Sequence, residues 1–341
     1  MIEMRSDTFT LPTAAMMAAM AAAPLGDDVY GEDPTVNRLE ALAAQRLGKQ
    51  AACLVPSGTM ANLASIMAHA PRGASLIAGS ESDIYLYEAA GAAVCGGVSY
   101  SAVPNQPDGT LKLTDLTEAI PPDPDDPQFA MPALLCLENT QNRCGGVVLP
   151  QQYQAEAYAW AKAHGLNVHL DGARIFNAAV ASGLAASEIA KHADSVQFCL
   201  SKGLSAPIGS IVAGTTDFVG RVRRIRKMLG GGMRQAGVIA AAGIVALDEM
   251  VDRLAVDHEL ARRLADGLKQ MPAIEVEAEP QTNILLFRVH DLEWSSFVDA
   301  VATAGVALMG FGHGRIRAVT HSGLSADDID QALEIIAKVL K

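Results

Sequence analysis

An α/β fold built on a mostly parallel sheet, with a smaller C-terminal α+β domain, is predicted by three features of the sequence. Short apolar runs alternate with longer helical stretches over residues 1–245. The runs are continuous, not alternating, which requires burial on both faces of a sheet wrapped by helices. Over residues 246–341 strands become sparser and the pattern changes to strand pairs followed by helices, the mark of a separate α+β unit.

Taken in order, the Ala/Met run Ala14–Ala23 reads as a helix of strong helix formers, stopped by Pro24 and Gly26, far short of the ~20 residues a membrane span needs. Ala51–Pro56 reads as a buried strand, with Ser57-Gly58-Thr59 turning into a helix that runs to His69. Ser75–Ala78 is a short strand and Tyr85–Val94 a small-residue helix. Ala133–Leu137, Asn167–Leu170, Ser195–Leu200 and Ile208–Ala213 are further buried strands, with a helix over Gln152–His164 and a surface loop at the acidic, proline-rich Pro121–Pro127. A long helical pattern, Ala236 to Gln270, leads into strands at Ile274–Ala278 and Asn283–Val289. A helix near Ser295–Thr303, a strand at Arg315–Val319 and a last helix from Ala326 complete the chain.

Composition narrows the function. The 341 residues are 50% hydrophobic and carry a net charge of −12, so a sizeable core is available and disorder is excluded. The acidic balance argues against a nucleic-acid partner, which needs an excess of Lys and Arg on one face. Five cysteines (Cys53, Cys95, Cys136, Cys144, Cys199) show no zinc spacing and fit a reducing compartment. Met1–Arg5 has no cationic stretch followed by an apolar one, so neither a signal peptide nor a membrane partner is expected. A cytoplasmic enzyme acting on a small molecule is the expectation.

Ligands of a parallel sheet bind beyond the carboxyl ends of its strands, and three groups of residues lie there. Lys202, in Leu200-Ser201-Lys202-Gly203, follows a buried strand in a turn of small residues. A partly desolvated amine at such a place has a lowered pKa and can form a Schiff base, although a solvated turn lysine is the commoner case. Asp171, in His169-Leu170-Asp171-Gly172-Ala173-Arg174, ends another strand. A carboxylate there can hold a protonated pyridine nitrogen, and Arg174 can reach the same ring's phenolic oxygen; a helix-capping aspartate is the plainer alternative. Ser57, Gly58 and Thr59 join a strand to a helix and suit one phosphate monoester, with neither a Walker lysine nor a GxGxxG present. A phosphate cradle, a pyridine clamp and a Schiff-base lysine together describe pyridoxal 5'-phosphate.

The motifs Arg5-Ser6-Asp7-Thr8, Gly26–Thr35, Pro56–Asn62, Asp171–Asn177, Leu200–Gly203 and Gly230–Gln235 closely resemble the low-specificity L-threonine aldolases, in the β-eliminating lyase group of fold type I pyridoxal-phosphate enzymes. The resemblance runs from residue 2 to about residue 250 and continues weakly to Arg315–His321. It implies a lyase that cleaves a β-hydroxy-α-amino acid, threonine or a relative, to glycine and an aldehyde. β-Elimination or racemisation of another amino acid on the same scaffold stays open, as does a cofactor-binding protein without catalysis. Nicotinamide oxidoreduction lacks its glycine fingerprint.

The resemblance also implies roles. Lys202 is the Schiff-base lysine, Asp171 the pyridine partner, Arg174 the ligand of the ring hydroxyl, and Gly58 and Thr59 the phosphate cradle. Ser6 and Arg317 resemble the pair that holds the substrate α-carboxylate. Arg234 and Tyr30 resemble residues that reach a neighbouring subunit's site, which implies a homodimer or homotetramer. Lys227 joins the phosphate contacts, while Arg221, Arg223, Arg224 and Arg226 read as a solvated basic helix face. Two positions depart from the family: Asp83 and Gln141 stand where its members have histidines, one stacked on the cofactor ring and one near the substrate β-hydroxyl. Aspartate cannot stack and glutamine cannot act as a base at neutral pH, so a changed substrate is weighed equally with a tolerant threonine aldolase.

Overall fold

The computed structural model describes residues 1–341. Seven strands form the central sheet in the spatial order Ala51–Val55, Ser210–Gly214, Ser195–Cys199, Asn167–Asp171, Pro132–Glu138, Ser75–Gly79, Ser99–Val103. Six run in one direction, and Ser210–Gly214 alone is antiparallel to both neighbours. Every residue of Ser75–Gly79, Ser195–Cys199 and Ser210–Gly214 is buried, as continuous apolar runs require. The Asn167–Asp171 and Ser195–Cys199 strands are adjacent and parallel, so the turns that follow them open at the same edge.

Two helical readings change. Tyr85–Val94 is not one helix. Asp83–Leu86 forms a single turn, and a π-type turn covers Ala92–Gly96; Ala89 and Ala90, at positive φ between them, break the run. The Ala236–Gln270 pattern divides into Gly237–Val245, a π-type turn at Ala246–Met250, and Leu254–Leu268. The edge strand Ser99–Val103 carries no continuous apolar run to predict it, being largely polar and half-exposed. Arg226 is also no solvated residue: it is buried, paired with Asp28 at 2.9 Å, and donates to the Leu54 carbonyl.

The C-terminal unit has a four-stranded antiparallel sheet, ordered Met309–Gly310, Ile316–Val319, Ile284–Val289, Ile274–Val276. Its core of Leu264, Phe287, Phe297 and Ile336 also takes in Ile2 and Met4 from the start of the chain. Ile2–Glu3 pairs in parallel with Val306–Ala307. Met4 is fully buried, worth about 2 kcal/mol for a side chain of that size. The N-terminal arm is thereby anchored in the small core, and the residues after it, Ser6 and Asp7, are held at the junction with the large sheet. No helix is long and apolar enough to cross a membrane.

Candidate active site

The helix Gly58–His69 begins at the carboxyl edge of the sheet, with Ser57 as its N-cap accepting from the Met60 amide. Its first amides, those of Gly58 and Thr59, have no intrahelical acceptor and point outward. Gly58 is required there, since a Cβ would lie 2.8 Å from the Cys199 sulfur. Across a cavity of about 150 Å³ from this helix start stand Asp171, Lys202, Asp83 and Glu88. Asp83, Tyr87 and Lys202 also line an adjoining cavity of about 380 Å³ with Ser6, Arg174 and Arg317.

Each charged group is held by identifiable partners. The Asp171 carboxylate accepts from Asn62 Nδ2 at 2.8 Å, from the Ala173 amide at 3.0 Å and from Gln197 Nε2. Burial, and then the nearby Asp83, push it above the usual carboxylate range, against the pull of Lys202 and Asn62. A cation at its free lone pair would reverse that balance, as a protonated pyridine does. Arg174 forms a two-pronged pair with Asp7, at 2.8 and 2.7 Å, both buried. Burial alone would raise Asp7; Arg174, Lys202 and Asn283 hold it well below its ordinary value. The Lys202 amine departs from the sequence-based expectation. Burial pulls it down, but Cys199, Asp83 and Asp7 outweigh that and Arg174's repulsion, leaving it raised.

Arg317 forms the far wall. Its guanidinium lies 4.3 Å over the Phe311 ring and donates to Asn142 Oδ1 at 2.9 Å and to the Arg5 carbonyl. Its Nε is buried without a partner. A donor left unpaired in a buried site costs free energy until an anion meets it. Burial, then the nearby Arg174, lower it to about 10. Ser6 lines the same cavity, its hydroxyl accepting from the Thr8 amide.

Four expected site residues fall elsewhere. Gln141 is fully buried but lines neither cavity: its amide donates to the Glu81 carbonyl and accepts from the Cys144 amide. The neighbouring Asn142 takes the place in the site and donates to Asp83 Oδ1 at 3.1 Å. Tyr30 and Lys227 line a separate surface cavity with Arg223, Arg224 and Arg226, and Arg234 pairs with Asp27 at 2.9 Å. Within one chain none of Tyr30, Lys227 and Arg234 lines either of the two cavities that Lys202 lines.

Residues without an assigned role also belong to the site. Asp7 stands in a recognised motif, yet its partner Arg174 is 167 positions away. Glu88, Glu138, Asn62 and Asn142 are polar residues in or beside apolar segments, the one local signal of their role. Glu138 accepts the amides of Asp83 and Asn142 and is raised by burial and by Asp83 and Asp171. Glu88 is pushed up to about 9 by burial and by Asp171. A carboxyl that stays protonated in the folded state contributes most below its unfolded pKa near 4.5, and that contribution is lost as pH rises to about 9. Glu88→Gln is therefore expected to flatten the fall in thermal stability of the cofactor-free protein between pH 5 and about 9. Melting curves of both proteins across that range check this; parallel curves would refute it.

A helix-start anion cradle, a buried carboxylate and a half-buried lysine at a strand end, all lining one cavity, define a pyridoxal-phosphate-dependent lyase of fold type I. Comparison with known proteins agrees. The β-eliminating lyase family matches residues 3–291. The low specificity L-threonine aldolase of Escherichia coli strain K12 is 44% identical, over 96% of both chains. Low-specificity L-threonine aldolase 1 of Arabidopsis thaliana is 41% identical, over 99% of this chain and 96% of its own. Among solved structures, the Leishmania major threonine aldolase superposes with a TM-score of 0.85 over the full length of both chains, at 20% identity. Sphingomonas wittichii serine palmitoyltransferase gives 0.77 at 18% identity, over 99% of this chain and 86% of its own. The chain belongs to the β-eliminating lyases and, within them, to the low-specificity L-threonine aldolases.

Proposed function

We propose that this protein cleaves the Cα–Cβ bond of a β-hydroxy-α-amino acid, threonine or a relative, to glycine and an aldehyde. The observation that carries the reading is the opening of the Lys202–Asp171 cavity onto a buried arginine, Arg317, whose Nε has no partner. Pyridoxal phosphate, when bound, supplies the electron sink for the pair left as that bond breaks.

The chain's own residues do the rest. Gly58 and Thr59 hold the phosphate, Asp171 the ring nitrogen and Arg174 the phenolic oxygen. Arg317 and Ser6 receive the substrate α-carboxylate, which fixes the rotation about the substrate's Cα and sets the Cα–Cβ bond for cleavage. Asp83, which lines both cavities, takes the β-hydroxyl proton as the carbonyl of the aldehyde forms. Gln141, bound to main chain at both ends of its amide, supports no such role. Incubation with L-threonine and with bulkier and more polar β-hydroxy amino acids should yield glycine and aldehyde in equal amounts. Turnover that releases the corresponding 2-oxo acid with ammonia, or the enantiomer, instead would replace this reading with elimination or racemisation.

We also propose that Tyr30, Lys227 and Arg234 complete the site of a second copy. Tyr30 is 73% exposed, and a symmetric pair uses the same patch on each subunit. Mixing inactive Lys202→Ala with inactive Arg234→Ala subunits should restore part of the activity in mixed dimers. If none returns, Arg234 serves its own chain.

A further inference from the structure

Behind Asp171 a strip of polar side chains crosses the interface between the Gly58–His69 helix and the sheet. Asn62 and His69 are two turns apart on that helix, so they share a face. His169 and Asp171 share one face of their strand, and the register sets them beside Ser195 and Gln197. His69 Nε2 lies 2.8 Å from Ser195 Oγ, which lies 2.8 Å from His169 Nδ1. His169 Nε2 is 3.1 Å from Asn62 Oδ1, and Asn62 Nδ2 is 2.8 Å from both Asp171 Oδ2 and Glu88 Oε1.

The direction of every bond follows from what each group can donate. Asn62 spends both amide hydrogens on Asp171 and Glu88, so its oxygen accepts from His169 Nε2–H. Neutral His169 then has an acceptor at Nδ1, to which the Ser195 hydroxyl donates. Ser195 oxygen in turn accepts from His69 Nε2–H. Both imidazoles are kept neutral by burial, His69 at about 4 and His169 at about 3. The charged groups facing His69 are Asp194, Arg221 and Lys162, and its ring stacks on Phe218 at 4.5 Å.

We propose that His69, Ser195, His169 and Asn62 are positioning residues, a one-way hydrogen-bond chain that ends on Asp171 and holds it ionised and oriented for the cofactor's ring nitrogen. The donated hydrogen bond from Asn62 favours the carboxylate form of Asp171 against the push of burial, which suits a ring nitrogen that carries the proton. The proposal rests on Asp171 as the partner of that ring. A colourless wild-type protein would overturn that premise, whereas the outcomes below concern the chain alone.

The test is Ser195→Ala in the holoenzyme, with Ser195→Thr as the variant that keeps the hydroxyl. Loss of the two central hydrogen bonds should weaken cofactor binding about three- to tenfold. It should also move the pH titration of the cofactor's visible absorbance by about half a unit or more. Ser195→Thr should behave as wild type. A purely structural role predicts a lower melting temperature with binding and titration unchanged, and that result overturns the proposal. If Ser195→Ala does not fold, nitrogen NMR of ¹⁵N-histidine-labelled wild type decides. A proton on Nε2 of His169 at pH 7 supports the chain, and one on Nδ1 reverses it.

Discussion

Lys202→Ala is expected to lower glycine release by about 10⁴-fold or more while leaving pyridoxal phosphate bound. No other lysine lines either cavity, so nothing can replace its amine as the covalent attachment point. The remaining contacts, the helix start at Gly58 and Thr59, the Asp171 carboxylate and Arg174, stand on separate elements and survive the change. Removing the ammonium also takes away a cation that opposes the rise of Asp171, so cofactor retention should weaken sooner than in wild type as pH falls. Borohydride treatment of the wild-type protein followed by peptide mapping checks the assignment directly. A pyridoxyl label on any lysine but Lys202, or an alanine variant with more than a hundredth of wild-type turnover, would refute it.

The chemistry that could be read in the sequence is the chemistry written locally. Lys202, Asp171 and Ser57–Thr59 each sit just past or at the end of an apolar strand among small residues, and a parallel sheet brings such turns to one edge. The reversed direction of Ser210–Gly214 was not legible, because hydrophobic period carries no sign of strand direction. Nor was the Arg174–Asp7 pair, whose halves come from the large sheet and an arm anchored in the small core. Gln141 and Asn142 show how fine the limit is: adjacent residues, of which one turns into main-chain bonds and the other lines the cavity. Tyr30, Lys227 and Arg234 expose a different limit, since a single chain's pattern does not say whose cavity a surface residue fills.

Asp83→His is expected to raise cleavage of L-threonine and lower that of the natural substrate. Asp83 lines both cavities, as do Tyr87 and Lys202, and its surroundings are unusual. Asn142 donates to it, its amide binds Glu138, and Glu88 and Asp171 stand in the same cavity. Burial and these neighbours push Glu88 and Glu138 upward. A carboxylate there accepts a proton from the β-hydroxyl or pairs with a cationic or hydroxylated side chain, but it offers no flat wall for stacking. The threonine methyl gives it nothing to bind. An imidazole restores both the flat wall and a base near neutral pH, and general-base assistance is worth typically 10²–10⁴-fold. A gain of about ten- to a hundredfold on threonine is the expected share, because Asn142 and Arg317 remain set for the carboxylate's geometry. The measurement is glycine release over a panel of β-hydroxy amino acids by wild type, Asp83→His and Asp83→Asn. Asp83→Asn keeps the shape and removes the charge, so it should lose the polar substrates without gaining threonine. Equal threonine rates in wild type and Asp83→His would show instead that the aspartate is tolerated and that specificity lies elsewhere, in Tyr87 or Phe311.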